Sequence, residues 1–379
     1  MTLKIPLSRP DLDESDIESV VGVLKGTHLS LGPTGPAFER AVASYVGSSH
    51  AISVNSGTSG LHLCVLSLGL QPGDEVITTP YSFVASTNCL LFQGVRPVFV
   101  DIDPATWNMD LSSIRGAVTR RTRAILPVHV FGRPVDMPEV LEIAREHGLL
   151  VIEDSCESLG STVRGRMTGT FGEVGVYAFY PNKQMTTGEG GMIVTDRQDV
   201  ADLCRSLRNQ GREQSASPWE HERLGYNYRL SDIQAALGLS QLKRLEPFIE
   251  RRQRVFDLYR EALSPLRDVH LPAPLRDDQR ASWFVYVVRL ADSFSRADRD
   301  AVLAALRRRG VECRDYFQPI HLQPYMRRRF GYAEGSFPVV ERIAARSFAL
   351  PFHNRLGEEE IRRVADILGE ALHTTARRA

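Results

Sequence analysis

Leu149-Leu150-Val151-Ile152-Glu153-Asp154 runs from four apolar residues straight into two adjacent carboxylates. An uninterrupted apolar run of this length reads as a strand buried on both faces, with the acids at its carboxyl end. Toward the amino terminus, runs of the same kind recur at Ala124–Val130, Arg96–Val100, Glu75–Thr78 and Ala51–Val54. Between them Gly60–Leu68, Ser82–Gln93, Leu111–Val118 and Pro138–His147 carry helical spacing. Strands alternating with helices predict an α/β fold, a mostly parallel sheet flanked by helices. Right-handed crossovers then set the carboxyl ends of the strands along one edge, where open α/β sheets bind ligands.

Toward the carboxyl terminus the pattern changes after Asn227–Leu245. Pro247 opens an amphipathic stretch, Phe248–Leu263, that reads as a connecting helix. Beyond it Trp283–Leu290 alternates like a strand, Asp298–Arg309 reads as a helix stopped by Gly310, and Glu358–Leu372 reads as a terminal helix. A chain of 379 residues exceeds what one core accommodates. The expected division is a large α/β domain over residues 1–246 and a smaller C-terminal α+β domain over 247–379. No internal repeat appears, which excludes a solenoid.

Composition narrows the function. The 46 basic and 46 acidic residues balance, so no net field recruits nucleic acid or an anionic membrane. Only Lys4, Lys25, Lys183 and Lys243 are lysines, and arginine supplies the rest of the positive charge. Arginine cannot act as an amine nucleophile, so each lysine is worth inspecting. The five cysteines are scattered with no metal-ligand spacing, which predicts no metal site and fits a reducing cytoplasm. The stretch Met1–Pro10 has no apolar h-region, and no run of about 18 apolar residues occurs. A cytoplasmic protein without a membrane partner is expected.

Three segments carry candidate chemistry. Val54-Asn55-Ser56-Gly57-Thr58-Ser59-Gly60 follows a strand and opens a helix; its small residues and hydroxyls suit either an anion at the helix start or a simple capped turn. Asp154, at the strand edge, either faces the crevice, where it can hold a cationic ring nitrogen, or caps the next helix. Lys183 lies between the aromatic run Tyr177-Ala178-Phe179-Tyr180 and the glycine-rich Gly188-Glu189-Gly190-Gly191. A buried lysine there can form a Schiff base with a carbonyl. In this order the segments match the three handles of pyridoxal phosphate (PLP): phosphate, ring nitrogen and aldehyde.

The chain resembles the DegT-type nucleotide-sugar aminotransferases, a branch of the fold type I PLP-dependent enzymes with the aspartate aminotransferase-like architecture. The resemblance runs nearly end to end. It is carried by Asn55-Ser56-Gly57-Thr58, Thr79-Pro80-Tyr81-Ser82-Phe83-Val84-Ala85-Ser86, Val151-Ile152-Glu153-Asp154, Pro181-Asn182-Lys183, Gly188-Glu189-Gly190-Gly191, Gly225-Tyr226-Asn227-Tyr228-Arg229 and Pro319-Ile320-His321. It implies that Lys183 carries the cofactor and moves the proton, that Asp154 pairs with the ring nitrogen, and that Ser56, Gly57 and Thr58 lie at the phosphate. It implies that Phe83 stacks on the ring and that Asn227 reaches the phosphate site of a neighbouring subunit, so that a homodimer shares its active sites. Arg229 is expected at a substrate diphosphate or at the dimer interface, and Tyr316 and His321 at the sugar pocket.

The implied function is transfer of an amino group from an amino acid, L-glutamate by family habit, to the keto group of a nucleotide-linked keto-deoxysugar. The product serves surface polysaccharide or a glycosylated metabolite. The Thr186-Thr187-Gly188-Glu189-Gly190-Gly191 run resembles the perosamine synthase-like subgroup. Alternatives are an aminotransferase for a keto-cyclitol and a non-catalytic regulatory protein of the same fold. Two positions depart from the family pattern. Ala178 stands where serine is common, and Glu157 stands where many relatives have glutamine, near the cofactor's phenolic oxygen.

Overall fold

The computed structural model describes residues 4–213 and 219–376. Two helices, α1 (Glu14–Leu24) and α2 (Thr34–Val46), precede the first strand, β1 (His50–Val54). Then α3 (Gly57–Ser67), β2 (Glu75–Thr78), α4 (Ala85–Leu91), β3 (Arg96–Phe99), β4 (Thr122–Leu126), α5 (Met137–His147) and β5 (Leu150–Asp154) follow in alternation. The sheet is completed by β6 (Val174–Ala178) and β7 (Gly191–Thr195), before α6 (Gln198–Arg208) and α7 (Asp232–Leu242). Across the seven strands the order is β1-β7-β6-β5-β4-β2-β3. Neighbours from β3 to β6 pair in parallel, and β7 runs antiparallel to both β6 and β1.

The sheet strands are buried almost throughout, as the apolar runs require. Three differences from the sequence reading have local causes. The strand read over Ala124–Val130 stops at Leu126, because Pro127 has no N–H for the ladder. The helix read over Leu111–Val118 divides into a short turn, Leu111–Ser113, and Ile114–Ala117. The antiparallel β7 is reached by the hairpin-like excursion 179–190 in place of a helical crossover, and Lys183 lies on that excursion.

A second core gathers around α8 (Leu245–Leu263), β8 (Val269–His270), β9 (Tyr286–Leu290), α9 (Arg296–Arg308), β10 (Ser347–Leu350) and α10 (Glu358–Ala376). Its three strands pair antiparallel. Phe256 and Trp283 stack at 4.2 Å between centroids, and Tyr259 and Tyr286 at 4.7 Å. Ile5 also packs in this core and bridges in parallel to Val311. We propose that the domain boundary falls at residue 246/247, with the amino-terminal segment around Ile5 crossing over to complete the smaller domain.

Candidate active site

The ends of β1, β5 and β6 and the start of β7 converge on a cavity of about 1090 Å³. At one end of the cavity α3 begins. Ser56 caps it in an extended conformation, its Oγ accepting from Ser59 N at 3.1 Å. The first N–H groups of a helix lack intrahelical partners, so Gly57 and Thr58, which line the cavity, present anion-binding backbone. Gly57 allows the helix to start this close to the sheet: a Cβ there would meet Cys156 Sγ at 2.8 Å and Ala178 Cβ at 2.9 Å.

The two acids of β5 separate, as the period of a strand requires. Glu153 is fully buried and turned away from the cavity lining. Its Oε1 accepts from Phe171 N at 2.5 Å and Gly172 N at 2.7 Å, and its Oε2 accepts from Gly169 N at 2.8 Å. His129 Nε2 lies 3.2 Å from Oε2. Because His129 Nδ1 accepts from Val135 N at 3.0 Å, the ring proton sits on Nε2 and is donated to Glu153. Asp154 lines the cavity, and its Oδ1 accepts from Cys156 N at 3.1 Å. That aspartate therefore anchors the following turn and still faces the crevice.

Lys183 lines the same cavity with a largely buried side chain. Its Nζ stands 3.6 Å from Glu157 Oε1 and 4.0 Å from the centroid of the Phe284 ring. Glu157 Oε2 accepts from Phe131 N at 2.8 Å. Burial pushes the Glu157 carboxyl above its ordinary range, against the opposing pull of Lys183 and of the Phe131 N–H. Tyr316 forms part of the wall, its hydroxyl 3.4 Å from Asn182 Nδ2, and burial raises its pKa to about 12. Phe83 lines the mouth and is 61% exposed, so it is not a core residue of this chain.

Thus Ser56, Gly57, Thr58, Phe83, Asp154, Glu157, Lys183 and Tyr316 surround one space. Asn227, Arg229 and His321 lie outside its lining. Asn227 is exposed and bridges through its backbone to Asn209, and Arg229 Nη1 donates to Asn209 Oδ1 at 3.1 Å. His321, expected at the sugar pocket, has no exposed surface and pairs through Nε2 with Glu341 Oε1 at 2.9 Å. The sequence reading assigned no role to Phe284, Glu189 and Arg314, which also line the cavity. Phe284, just before β9, packs its ring into the core of the large sheet, Arg314 follows α9, and no local pattern marks either.

The residues present fit PLP. A dianionic phosphate matches the start of α3, a ring nitrogen matches a buried aspartate, and an aldehyde matches an amine that sits in the same cavity. Asn182, the residue before Lys183, also leaves a buried Oδ1 without a partner among the described residues.

The model of the DegT/DnrJ/EryC1/StrS aminotransferase family matches residues 10–369. GDP-perosamine synthase of Caulobacter vibrioides is 38% identical over 370 residues, covering 97% of this chain and 98% of that one. Among solved structures, Helicobacter pylori PseC, an aminotransferase involved in the biosynthesis of pseudoaminic acid, superposes with a TM-score of 0.93 at 29% identity, over 98% of this chain and 100% of that one. S. venezuelae DesV in complex with a ketimine intermediate superposes with a TM-score of 0.89 at 33% identity, over 97% and 98%.

Proposed function

The chain belongs to the DegT/DnrJ/EryC1/StrS aminotransferase family, and from that premise we propose which residues perform its reaction and on what substrate. It is a PLP-dependent sugar aminotransferase of amino-sugar biosynthesis, taking an amino group from a donor to a nucleotide-linked keto-sugar. The observation that carries the residue assignment is the convergence of the α3 start, Asp154 and Lys183 on one cavity. When bound, PLP supplies an electron sink conjugated to the nitrogen being transferred.

The protein's residues do the rest. Gly57 and Thr58 hold the phosphate with backbone N–H groups and the Thr58 hydroxyl. Asp154 keeps the ring nitrogen protonated, since a fixed carboxylate favours the charged form of its partner. Phe83, at the mouth, covers a ring face. Lys183 Nζ carries the cofactor and moves a proton to and from the carbon that changes its nitrogen. Glu157 lies at the phenolic oxygen and Tyr316 at the sugar.

The donor is L-glutamate and the acceptor a GDP-linked keto-deoxysugar, aminated at carbon 4. The similarity to GDP-perosamine synthase supports this choice. The protein works as a cytoplasmic homodimer in which Asn227 and Arg229, exposed or half-buried outside their own cavity, serve the partner's site. None of its helices is long and apolar enough to cross a membrane, among the described residues. The test is to incubate the PLP-loaded protein with glutamate and a panel of GDP-linked and UDP-linked keto-sugars and a keto-inositol. Glutamate-dependent release of 2-oxoglutarate, with an amine mass on the GDP-linked sugar, is expected. Turnover of the keto-inositol alone, or no 2-oxoglutarate with any acceptor, overturns the proposal.

A further inference from the structure

Lys183 and the aromatic ring beside its amine come from different parts of the fold. Lys183 lies on the excursion between β6 and β7, whereas Phe284 lies just before β9 of the second core. Arg252, on α8, joins the two. Its Nη2 donates to the Lys183 carbonyl at 2.8 Å, and its Nη1 donates to the carbonyls of Phe284 at 3.1 Å and Trp283 at 3.4 Å. Gln184 makes a second tie, with Nε2 donating at 2.6 Å to the carbonyls of both Glu157 and Ser282. Gly132, at φ +90°, sits in the same junction: a Cβ there would meet the Ser282 oxygen at 2.2 Å and the Glu157 oxygen at 3.1 Å. The segments bearing Glu157, Lys183 and Phe284 therefore meet at one tight point.

Arg252 is 4% exposed, and its Nε has no hydrogen-bond partner among the described residues. A buried cation with an unpaired N–H is a poor source of stability, so what Arg252 supplies is the geometry it enforces. A rigid planar fork can hold two backbone segments at once, which an ammonium on a flexible stem cannot. Burial lowers its pKa to about 10, so it remains a cation at neutral pH.

We propose that Arg252 is a positioning residue for amino transfer, pinning the backbones of Lys183 and Phe284 so that Nζ stays against the ring face. This rests on the reading of Lys183 as the cofactor-bearing residue. The face of an aromatic ring attracts a cation, so the two pinned backbones set the register of the Phe284 ring and the Lys183 amine, 4.0 Å apart.

The test compares wild type, R252M, R252K and F284L, each reconstituted with PLP. Three quantities are read: the rate at which borohydride fixes an adduct on the Lys183 peptide, the rate of cofactor loss on dilution, and the melting temperature of the cofactor-free protein. R252M is expected to slow fixation and speed cofactor loss by about ten- to hundredfold, the size of one or two charge-assisted hydrogen bonds. R252K should fall between R252M and wild type, and F284L should reproduce the change in fixation rate with the larger part of the melting temperature kept. If R252M melts earlier yet keeps both rates within about threefold of wild type, Arg252 is only structural and the proposal fails. Should R252M not fold, wild-type rates in R252K or in F284L overturn it equally. Absence of any Lys183 adduct in the wild type is a different failure, that of the assignment of Lys183 itself.

Discussion

Glu153 and Asp154 are adjacent acids at the end of one strand, and changing each to its amide should give opposite phenotypes. Glu153 holds four donors, three backbone N–H groups and the Nε2–H of His129. In Glu153→Gln the one remaining oxygen can keep Phe171 N and Gly172 N, but the new amide group then faces Gly169 N–H and His129 Nε2–H. The His129 proton cannot move away, because Nδ1 is occupied by Val135 N–H. Two donors are left unsatisfied in a site with no exposed surface. At about 1.5–3 kcal/mol for each lost bond to a charged acceptor, the variant should lose about 3–6 kcal/mol of stability. That is a large share of the roughly 5–15 kcal/mol that holds a domain together. The midpoint of urea unfolding of the cofactor-free protein should fall accordingly, while the folded fraction still binds PLP. Asp154→Asn keeps an oxygen for Cys156 N and should unfold within about 1 kcal/mol of wild type. Its transamination rate should drop at least about tenfold, because the ring nitrogen loses its charged partner. If Glu153→Gln unfolds like wild type, or Asp154→Asn turns over like wild type, the division of labour drawn from the strand period is wrong.

Four further outcomes follow from the geometry. Burial raises the Glu157 carboxyl, so the native state holds a proton that the unfolded chain releases from its usual 4.5, and stability should fall as pH rises from 4.5 through the raised value. Glu157→Gln should flatten that slope in unfolding curves taken across the range, and an unchanged slope would count against a buried acid. His321→Ala should leave the sugar KM unchanged while costing about 1–3 kcal/mol in urea unfolding, since the ring is bonded to Glu341 away from the cavity; a raised KM would return it to the sugar pocket. Ala178→Ser should tighten PLP binding by about three- to tenfold in equilibrium dialysis, the worth of one added hydrogen bond beside Gly57. Mixing inactive Lys183→Ala and Asn227→Ala proteins after subunit exchange should restore about a quarter of the wild-type sites, because a two-fold hybrid carries one intact site; no recovery would place Asn227 outside the partner's site.

Much of this architecture was legible because local pattern decides it. Apolar runs of strand length between amphipathic stretches mark the parallel core, and β2 and α5 fall within a residue of their sequence reading. Lys183 stood out because lysine is scarce in this chain and because a glycine-rich turn follows it. What the sequence concealed is joined by distance along the chain. Arg252 and the Lys183 carbonyl are 69 positions apart, and Gln184 and Ser282 are 98 apart. Neither pair leaves a periodic trace. The partner of His321 is 20 residues away on a separate short helix, a pairing that no local pattern signals. Of the two strand-end acids the family resemblance singled out Asp154, while the buried partners of Glu153 left no trace in the sequence.

The antiparallel β7 explains how one lysine can belong to both cores. A parallel strand after β6 would need a helical crossover of about a dozen residues or more, which would carry Lys183 over a face of the sheet. The excursion 179–190 stays at the carboxyl edge instead, closed on itself by Phe179 N donating to Gly190 O at 2.9 Å and Thr187 N to Phe179 O at 3.0 Å. At that edge the lysine reaches the second core, and the ties from Arg252 and Gln184 fasten it there. A hinge motion that swung the second core away from the sheet would have to break those bonds and pull the Phe284 ring from the amine. Substrate exchange is therefore expected at the side of the cavity lined by the exposed Phe83, with the junction beneath Lys183 fixed.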